Sequence, residues 1–304
     1  MSIIKKIIKG LRKPVLFGEF FLGKSISRIL PDKLFLSWIY RVKIGKRLSL
    51  DNPVTYNEKL QWLKLYDHNP KYVELVDKFA VREYVSDTIG EQYLVPLLGV
   101  YNTVMEIDFS TLPDQFVMKP THTSGDVLLC TDKSSLSTSA ARDLAATWMR
   151  KQYYWGLREW PYKHIRPRII CEELIKTVDG KPPKDYKIFC FNGEPKFAFV
   201  ATDRGSETKF DFFDSEWNRQ SLRQHYPNSD YMLEKPAQWE EMLYLARKLA
   251  KDIPHVRVDF YVDARGAIFF GELTFFHFSG LEPFEPESYD YDLGSWIDLT
   301  SIKK

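Results

Sequence analysis

The stretch of sequence that most constrains the fold is 255–280, HVRVDFYVDARGAIFFGELTFFHFSG. Apolar residues alternate with other residues over 255–263 and again over 267–276. The three residues between these segments, 264–266, end in glycine and can form a turn. Two alternating segments joined by a short turn with glycine are typical of a β-hairpin. The stretch therefore predicts a hairpin, against which the rest of the chain has to pack.

Polar side chains lie on this predicted hairpin where a buried strand would have apolar ones. Arg257 and Asp259 are two residues apart, so they share one side of the first strand. Glu272 and Thr274 share one side of the second strand in the same way. If the hairpin closes, both acids can face one space, where they repel unless one is protonated or a cation lies between them. Mg²⁺ prefers oxygen ligands and commonly keeps phosphate oxygens; the alternative is an exposed hairpin edge with solvated charges.

Length and composition predict a globular protein of one compound domain or two smaller ones, because 304 residues with 44% hydrophobic content can bury a large core. The cysteines, Cys130, Cys171 and Cys190, are odd in number and widely spaced, which signals neither a disulfide framework nor a zinc site. No uninterrupted apolar run is long enough to span a bilayer, and no signal peptide is recognisable. We therefore expect a cytoplasmic protein.

Residues 1–50 differ from the rest of the chain in charge. They contain twelve lysines and arginines but only Glu19 and Asp32 as acids, a balance of +10, and since the whole chain carries +2 the remainder carries −8. Apolar residues at 3, 4, 7, 8 and 11 share one helical face opposite the basic ones, up to Pro14. This pattern predicts a short interfacial helix and peripheral contact with the inner face of the cell membrane. A helix packed on its own domain is the alternative; no nucleic-acid partner is expected, because the chain beyond residue 50 is acidic.

The segment 51–114 is predicted to be mainly helical. Thr55 and Glu58 form a capping-box pattern that opens a helix through about Tyr66. A second helix is predicted from Pro70 to a stop at Gly90, and its apolar stripe is interpreted as core. Short strand-like runs follow from residue 94 onward.

A candidate phosphate-binding loop lies in the middle of the chain. Residues 115–120, QFVMKP, predict a strand that ends in Lys119, and 121–126, THTSGD, form a small polar loop before a second strand at 127–130. Backbone N–H groups of such a loop can approach an anion, and a neighbouring lysine supplies a point charge. An ordinary hairpin turn has the same composition. The spacing of a Walker loop is absent, which excludes a P-loop enzyme.

The second half of the chain predicts further alternating elements. We expect a helix over 138–155, a surface loop over 157–167, and a strand over 168–175 that becomes acidic midway. A hairpin is predicted through Asn192-Gly193, one of the strongest short turn signals. The helix after residue 236 is predicted to bury Trp239, Met242, Leu243, Ala246 and Leu249.

Taken in order, these elements resemble the ATP-grasp superfamily, and over most of residues 50–295 the chain resembles its TupA-like family of polysaccharide biosynthesis. The phrases that carry the closer match are TYNEKLQWLKLYD, LVPLLGVY, YYWGLREWPYKHIRPRII, DYKIFCFNGEPKF and FFGELTF. The resemblance implies an α+β, ATP-grasp fold in which two α+β subdomains hold a nucleotide, with a helical basic N-terminal region. The implied parts are 1–50, a basic amphipathic region; 51–114, a helical substrate-side region; 115–166, the small subdomain; and 167–304, the large subdomain with the metal site.

The resemblance also implies an ATP site. Lys119 matches a lysine that contacts the ATP phosphates, and the loop over the phosphates contains Thr123, Ser124 and Gly125. The hinge that reads the adenine edge matches Glu172, Glu173, Leu174 and Ile175. Asp185 falls where an acid often binds the ribose hydroxyls, and Lys187 is placed for a second phosphate contact and a catalytic role.

The metal and transfer residues are implied in the same way. Asp259 and Glu272 match the two acids that bind Mg²⁺, and Arg257 matches a basic residue near the transferring phosphoryl group. Thr274 replaces a common asparagine and is a candidate metal ligand. The loop 277–280, HFSG, replaces the commoner Pro-Gly turn and is interpreted as part of an unusual acceptor pocket.

The function implied is that of an ATP-dependent carboxylate–amine ligase that works through an acyl phosphate. Its acceptor would be a sugar or an amino acid, and the sugar could belong to a lipid-linked glycan. The product would be part of a capsule or another surface polysaccharide. A sugar kinase, a glycosyltransferase that uses the same metal site, and a non-catalytic module with a decayed ATP site are the alternatives. Retention of Lys119, Asp259 and Glu272 together argues against the last.

Overall fold

The computed structural model describes most of the chain. The described residues are 28–178, 180, 182–203, 207–300 and 302. The predicted interfacial helix near the N-terminus lies outside them and stays a prediction.

Helices and strands both contribute to the architecture. The helices are α1 (Asp32–Ile44), α2 (Tyr56–Tyr66), α3 (Lys71–Val76), α4 (Val81–Thr88), α5 (Thr138–Met149), α6 (Tyr154–Leu157), α7 (Trp239–Leu249) and α8 (Ser288–Ser295). The strands are β1 (Leu97–Tyr101), β2 (Phe116–Pro120), β3 (Leu128–Cys130), β4 (Ile169–Glu173), β5 (Asp185–Phe191), β6 (Glu194–Thr202), β7 (Lys209–Asp214), β8 (His255–Val262) and β9 (Ile268–Thr274). Short 3-10 turns include Trp160–Lys163 and His277–Gly280.

The strands form two antiparallel sheets with separate cores. One sheet has the order β1-β4-β2-β3, and α5 packs on it around Phe116, Met118 and Trp148. The other has the order β7-β6-β5-β8-β9 and shares a larger core with the remaining helices. The predicted α+β class is confirmed. The smaller sheet takes β1 and β4 from outside the range 115–166, and the proposed division of the chain into four parts stays a prediction.

The local signals with a clear mechanism are confirmed. Thr55 Oγ1 accepts from the Glu58 backbone N–H at 3.2 Å and Glu58 Oε2 accepts from the Thr55 N–H at 3.1 Å, so the capping box opens α2. Asn192 and Gly193, with φ of 51° and 85°, form the turn between β5 and β6. The 255–280 hairpin forms as β8 and β9.

The prediction of one continuous helix from Pro70 to Gly90 is wrong. The helix breaks at Asp77, whose Oδ1 accepts from the backbone N–H groups of Phe79 at 2.8 Å and Ala80 at 3.2 Å. An aspartate that caps the following turn in this way competes with the helix it interrupts. Its other oxygen binds Arg168 at 2.7 Å, which fixes the break against the smaller sheet.

Three further predictions are wrong. The helix predicted over 138–155 ends at Met149, and the segment predicted as a surface loop is largely buried, with Arg158 only 1% exposed. Arg158 pairs with Asp32 at 2.8 Å and lies over the rings of Phe35 and Trp155, so an ion pair and aromatic contacts compensate for its desolvation. In α7 the predicted Leu243 is only partly buried, and Leu245 is buried in its place.

No helix within the described ranges has both the length and the apolar character needed to cross a bilayer.

Candidate active site

A row of three charged side chains crosses the larger sheet. Lys187 on β5 pairs with Asp259 on β8, and Asp259 pairs with Glu272 on β9. Residues directly opposite each other in an antiparallel sheet have side chains on the same side. A register shift next to Asp259 leaves Gly271 as the extra residue, a β-bulge that changes the direction of the strand beside Glu272. The two acids predicted to share one space therefore do so.

Arg257 connects both acids. Its Nε and Nη2 atoms donate to the two oxygens of Asp259 at 2.7 Å each, a forked pairing that requires an ionised carboxylate. Nη2 also donates to Glu272 Oε1 at 3.2 Å and to Thr274 Oγ1 at 3.0 Å. The expected cation between the two acids is thus supplied in this structure by the guanidinium.

Lys187 and Asp185 extend the network along β5. The Lys187 ammonium lies 2.7 Å from Asp185 Oδ2 and also binds Asp259. Both aspartates are fully buried. Burial raises the pKa of Asp259, and the charges of Arg257 and Lys187 act in the opposite direction.

Glu272 is the more open of the two acids, with 28% of its side chain exposed. Burial alone would raise its pKa, but the cations Lys78, Lys187 and Arg257 outweigh burial and lower the pKa to about 2. Its Oε1 accepts from Arg257 and from the Thr274 hydroxyl, at 3.0 Å for the latter, while Oε2 makes no hydrogen bond to any described residue. Glu272 is therefore a charged carboxylate with one oxygen available.

The 277–280 turn contacts this network through His277. Arginine can only donate, so the Arg257 Nη1 atom 2.7 Å from His277 Nδ1 makes that nitrogen an acceptor. The proton lies on Nε2, which donates to Gln224 Oε1 at 2.9 Å, and the Gln224 amide donates to the Glu282 carbonyl at 3.1 Å. Burial, reinforced by Arg257, holds the pKa of His277 well below its usual value. A neutral imidazole thus fixes the orientation of the arginine.

The predicted phosphate lysine lies on the smaller sheet. Lys119 forms an ion pair with Glu172 at 2.6 Å, and Arg82 binds the other oxygen of the same carboxylate at 3.1 Å. Glu172 is buried between these two cations. Arg82, which also donates to the Val95 carbonyl, was not predicted from the sequence.

The other predicted hinge residues are placed differently. Glu173 is exposed, and its backbone N–H donates to the Pro96 carbonyl at 3.0 Å. Leu174 and Ile175 follow the end of β4 and are partly buried. In the described part of the chain no hydrogen bond joins these three residues to the charged row on the larger sheet.

The loop 121–126 has a rigid base and an open tip. Thr123 is buried and its hydroxyl donates to Asp126 at 2.7 Å, while Ser124 and Gly125 are exposed. Gly125 has a φ of +81° and open space where a Cβ would lie, so its backbone is accessible.

Lys78, which was not predicted from the sequence, links the loop to Glu272. The Lys78 ammonium donates to the Thr123 carbonyl, and its backbone N–H donates to the Thr121 carbonyl at 3.2 Å. Burial lowers the pKa of Lys78, opposed first by Glu272. The lysine therefore lies between the loop and Glu272. The sequence signal for Lys78 is the preceding Asp77, which could have been recognised as a cap that breaks the helix.

In the described part of the chain no group of three or more His, Cys, Asp or Glu side chains is arranged to hold a metal ion, but the oxygen atoms around Glu272 are of the kind that a hard divalent cation prefers. Glu272, Asp259 and Thr274 present only oxygen atoms, and two protein cations, Arg257 and Lys187, pack against those oxygens in this structure. Carboxylate and hydroxyl oxygens together with phosphate oxygens are the usual surroundings of Mg²⁺.

Comparison with known protein families gives one match. The family model described as TupA-like ATPgrasp matches residues 58–298. No curated protein matches the chain.

Several solved structures are similar to the chain at low sequence identity. They include an L-amino acid ligase from Bacillus licheniformis, at 11% identity and a TM-score of 0.45 over 81% of this chain and 55% of that one. A D-alanine–D-alanine ligase from Bacillus anthracis complexed with ATP has 16% identity and a TM-score of 0.39 over 66% and 53%. An N5-carboxyaminoimidazole synthase from Aspergillus clavatus has 14% identity and a TM-score of 0.39 over 68% and 46%. The chain spans about half the length of these structures.

Proposed function

Because the chain belongs to the TupA-like ATP-grasp family, we propose that it is an ATP-dependent carboxylate–amine ligase acting on a cell-surface polysaccharide or its sugar precursor. ATP-grasp ligases catalyse ATP-dependent bond formation, and the predicted fold is confirmed. The observation that carries the proposal is the row of Lys187, Asp259 and Glu272, joined by Arg257 and linked through Lys78 to the loop after Lys119. Acids that can hold a metal and cations that can hold a triphosphate are what phosphoryl transfer requires.

In this proposal the two sheets divide the binding of Mg²⁺-ATP between them. Glu272 and Asp259 hold Mg²⁺, with the Thr274 hydroxyl as a further oxygen. Lys119 and Lys78, together with the open backbone near Gly125, face the phosphates. Asp185 binds the ribose hydroxyls, and the segment from Glu172 to Ile175 borders the adenine.

The chemistry follows from this arrangement of charge. When bound, Mg²⁺ would neutralise negative charge on ATP, which would supply the phosphoryl group. Arg257 and Lys187 would stabilise the additional charge as the substrate carboxylate attacks the γ-phosphorus and the bond to the β-phosphate oxygen breaks, so that ADP leaves. The acyl phosphate that results is opened by an amine to give an amide and inorganic phosphate.

The sugar part of the proposal rests on the surface beside Glu272. Tyr153 and Tyr162 are partly exposed, and their ring centroids lie 4.6 Å apart. Partly exposed aromatic faces offer the apolar surface that ligand sites use beside a few polar groups. A sugar ring can pack there while its substituents face the acids.

The proposal is tested by product analysis. Purified protein with Mg²⁺-ATP, D-glucuronate as the carboxylate and a panel of amines should release ADP and phosphate in equal amounts and form an amide. A kinase would release ADP and leave the phosphate on the acceptor. A glycosyltransferase would ignore ATP and consume a nucleotide sugar, and either result would contradict the ligase proposal.

The metal role is tested by Glu272→Gln, which keeps the shape and removes the charge. We expect turnover to fall by at least about 100-fold, because one removed electrostatic contact at a transferring group costs this much. The circular dichroism spectrum should stay unchanged. The matched control is Glu194→Gln, an exposed acid paired with Arg247 on the outside of the sheet. Near-normal turnover of Glu272→Gln would exclude the metal role.

A further inference from the structure

A buried cluster behind the 277–280 turn takes no part in the phosphoryl chemistry described above. The Lys64 ammonium lies 2.8 Å from Ser279 Oγ, and that hydroxyl donates to Glu159 Oε1 at 2.8 Å. The three residues are 2%, 3% and 7% exposed, respectively. Burying an ionisable group costs free energy unless the group is paired, so the cluster needs an explanation.

Lys64 and its neighbour Gln61 hold the turn in place. The Lys64 ammonium donates to the carbonyls of Ser279 at 2.7 Å and Leu157 at 3.0 Å as well as to the Ser279 hydroxyl, which uses all three of its donors. The Gln61 amide donates to the carbonyls of Ser279 at 2.9 Å and Gly280 at 2.7 Å. Ser279 is thereby kept at a φ of +57°, a strained conformation for a residue with a side chain.

Glu159 is left with one free oxygen. Its Oε1 accepts from Ser279, and its Oε2 makes no hydrogen bond to any residue that the structure describes. The Ser279 hydroxyl separates it from Lys64, so no direct ion pair occupies the carboxylate. Burial raises the pKa of Glu159, Lys64 opposes this, and Glu272 adds to it, which places Glu159 within electrostatic range of the metal acid.

The rings of Tyr153 and Tyr162 lie near Glu159, whose carbonyl accepts from the Tyr162 backbone N–H at 3.2 Å. Burial raises the pKa of both Tyr153 and Tyr162, and both acids raise it further. The Ser124 hydroxyl of the phosphate loop also acts on the Tyr153 pKa. The two rings, with centroids 4.6 Å apart and tilted by 54°, therefore lie within electrostatic range of Glu159, Glu272 and the loop.

We propose that Glu159 binds the amino group of the acceptor, so that the acceptor is a primary amine held as an ammonium between the carboxylate and the rings of Tyr153 and Tyr162. The inference rests on the proposed ligase function. A carboxylate with a free oxygen beside aromatic faces attracts an ammonium. An anionic acceptor group would be repelled by both Glu159 and Glu272. Ser279 and Lys64 are positioning residues.

The proton balance fits this role. Glu159 takes one proton from the ammonium, which leaves a neutral amine with a free electron pair. The nitrogen attacks the acyl carbon, the bond between that carbon and the phosphate oxygen breaks, and phosphate leaves with the electron pair. The second nitrogen proton passes to the departing phosphate.

The test uses pairs of probes that differ only in the amino group: D-glucosamine with D-glucose, and L-alanine with L-lactate. Binding to the full-length protein saturated with Mg²⁺ and a nonhydrolysable ATP analogue is measured by saturation-transfer NMR. We expect at least one amine to bind ten times more tightly than its hydroxyl partner. Glu159→Gln, which can still accept from Ser279, should remove this preference, and Glu194→Gln should retain it.

The outcomes separate this inference from the function on which it rests. Equal binding within both pairs, no binding of either amine, or a preference that survives Glu159→Gln would each overturn the amine subsite. Affinity for the nucleotide analogue is measured on the same samples. If the analogue binds wild type and Glu159→Gln equally while no amine is preferred, the amine subsite fails and the nucleotide site stands; if the analogue does not bind wild type, the ligase function itself fails.

Discussion

At the scale of single residues, Arg257 makes Asp259 and Glu272 different from each other, although the sequence presents the two acids as equivalent. Both oxygens of Asp259 accept from its guanidinium, and Lys187 adds a further contact, so this carboxylate is fully occupied and fully buried. Glu272 keeps one free oxygen and more exposure. We therefore expect Glu272 to be the ligand that meets a metal ion first, while Asp259 fixes the arginine and the lysine.

The buried imidazole of His255 gives a prediction of pH dependence. Its Nδ1 donates to the Cys190 carbonyl at 3.0 Å and its Nε2 accepts from the Tyr56 hydroxyl at 2.9 Å, so the ring is neutral. Burial lowers the pKa of His255 to about 3. Since the unfolded state binds a proton below about pH 6.5 and the folded state does not, the free energy of unfolding is highest above pH 6.5 and falls toward pH 3, by about 1.4 kcal/mol per pH unit for this residue.

Urea unfolding at pH 7.5, 6.5 and 5.5 measures this dependence. His255→Gln does not titrate there, so its unfolding free energy should depend less steeply on pH than that of wild type. The difference in slope between wild type and His255→Gln reports on His255 alone, because His277, whose pKa is also depressed, is present in both proteins. Parallel slopes would show that His255 is not a buried neutral base.

Individual site residues differ in how far the sequence could reveal them. The spacing of Asp259 and Glu272 on a recognisable hairpin was sufficient to predict that they meet, because a two-residue period fixes the side of a strand. Glu159 carries no such signal, and Lys78 has only the capping aspartate before it. Each becomes part of the site only through a partner far away in the chain, Thr123 for the lysine and Ser279 for the glutamate.

At the scale of secondary-structure elements, Asp77 shows how one side chain can override a regular pattern. The apolar stripe continues across it, which predicts one helix, but its carboxylate caps the next turn and splits the stripe into α3 and α4. The break directs Lys78 toward the loop at Thr123. Periodicity reports which residues are buried and does not report where backbone hydrogen bonds stop.

Replacing Asp77 tests this element. Asp77→Ala removes the bonds to the N–H groups of Phe79 and Ala80 and leaves Arg168 without its partner. We expect a loss of about 2–4 kcal/mol in the free energy of unfolding, from a lost cap and a lost ion-pair partner. Asp77→Asn can still cap through its amide oxygen and should lose less. Equal losses in the two variants, measured by urea unfolding, would contradict the capping role.

Strand pairs joined by short turns were the easiest elements to predict. The Asn192-Gly193 turn and the alternation on both sides of 264–266 each fix a hairpin locally. The bulge at Gly271 and the burial of the segment around Arg158 were not predictable in this way. Both depend on contacts across the molecule, with Tyr261 beside the glycine and Phe35 beside the arginine.

At the scale of the whole molecule, sequence order alone does not determine how the two sheets face each other. β1 and β4 are far apart in the chain but pair in the smaller sheet, and β5 joins β8 across a gap that includes β6, β7 and α7. The resemblance to a known family implied two α+β subdomains and did not give these strand pairings. Local patterns could not have done so, because pairing between distant strands is decided by burial in the common core.

The uneven charge of the whole chain leads to a prediction about its location. We expect residues 1–14, whose sequence is basic and amphipathic, to bind anionic membranes, with about 1 kcal/mol from each basic residue close to the lipid. The measurement is co-sedimentation with vesicles of phosphatidylglycerol and phosphatidylcholine, compared with phosphatidylcholine alone. Deleting residues 1–14 should reduce binding to the anionic vesicles by at least tenfold, and raising the salt concentration should weaken binding of the full chain. A control in which Lys5, Lys6 and Lys9 are replaced by glutamine keeps the apolar face and should show an intermediate loss. If the deletion leaves partitioning unchanged, these residues pack on the protein itself and the predicted membrane contact is wrong.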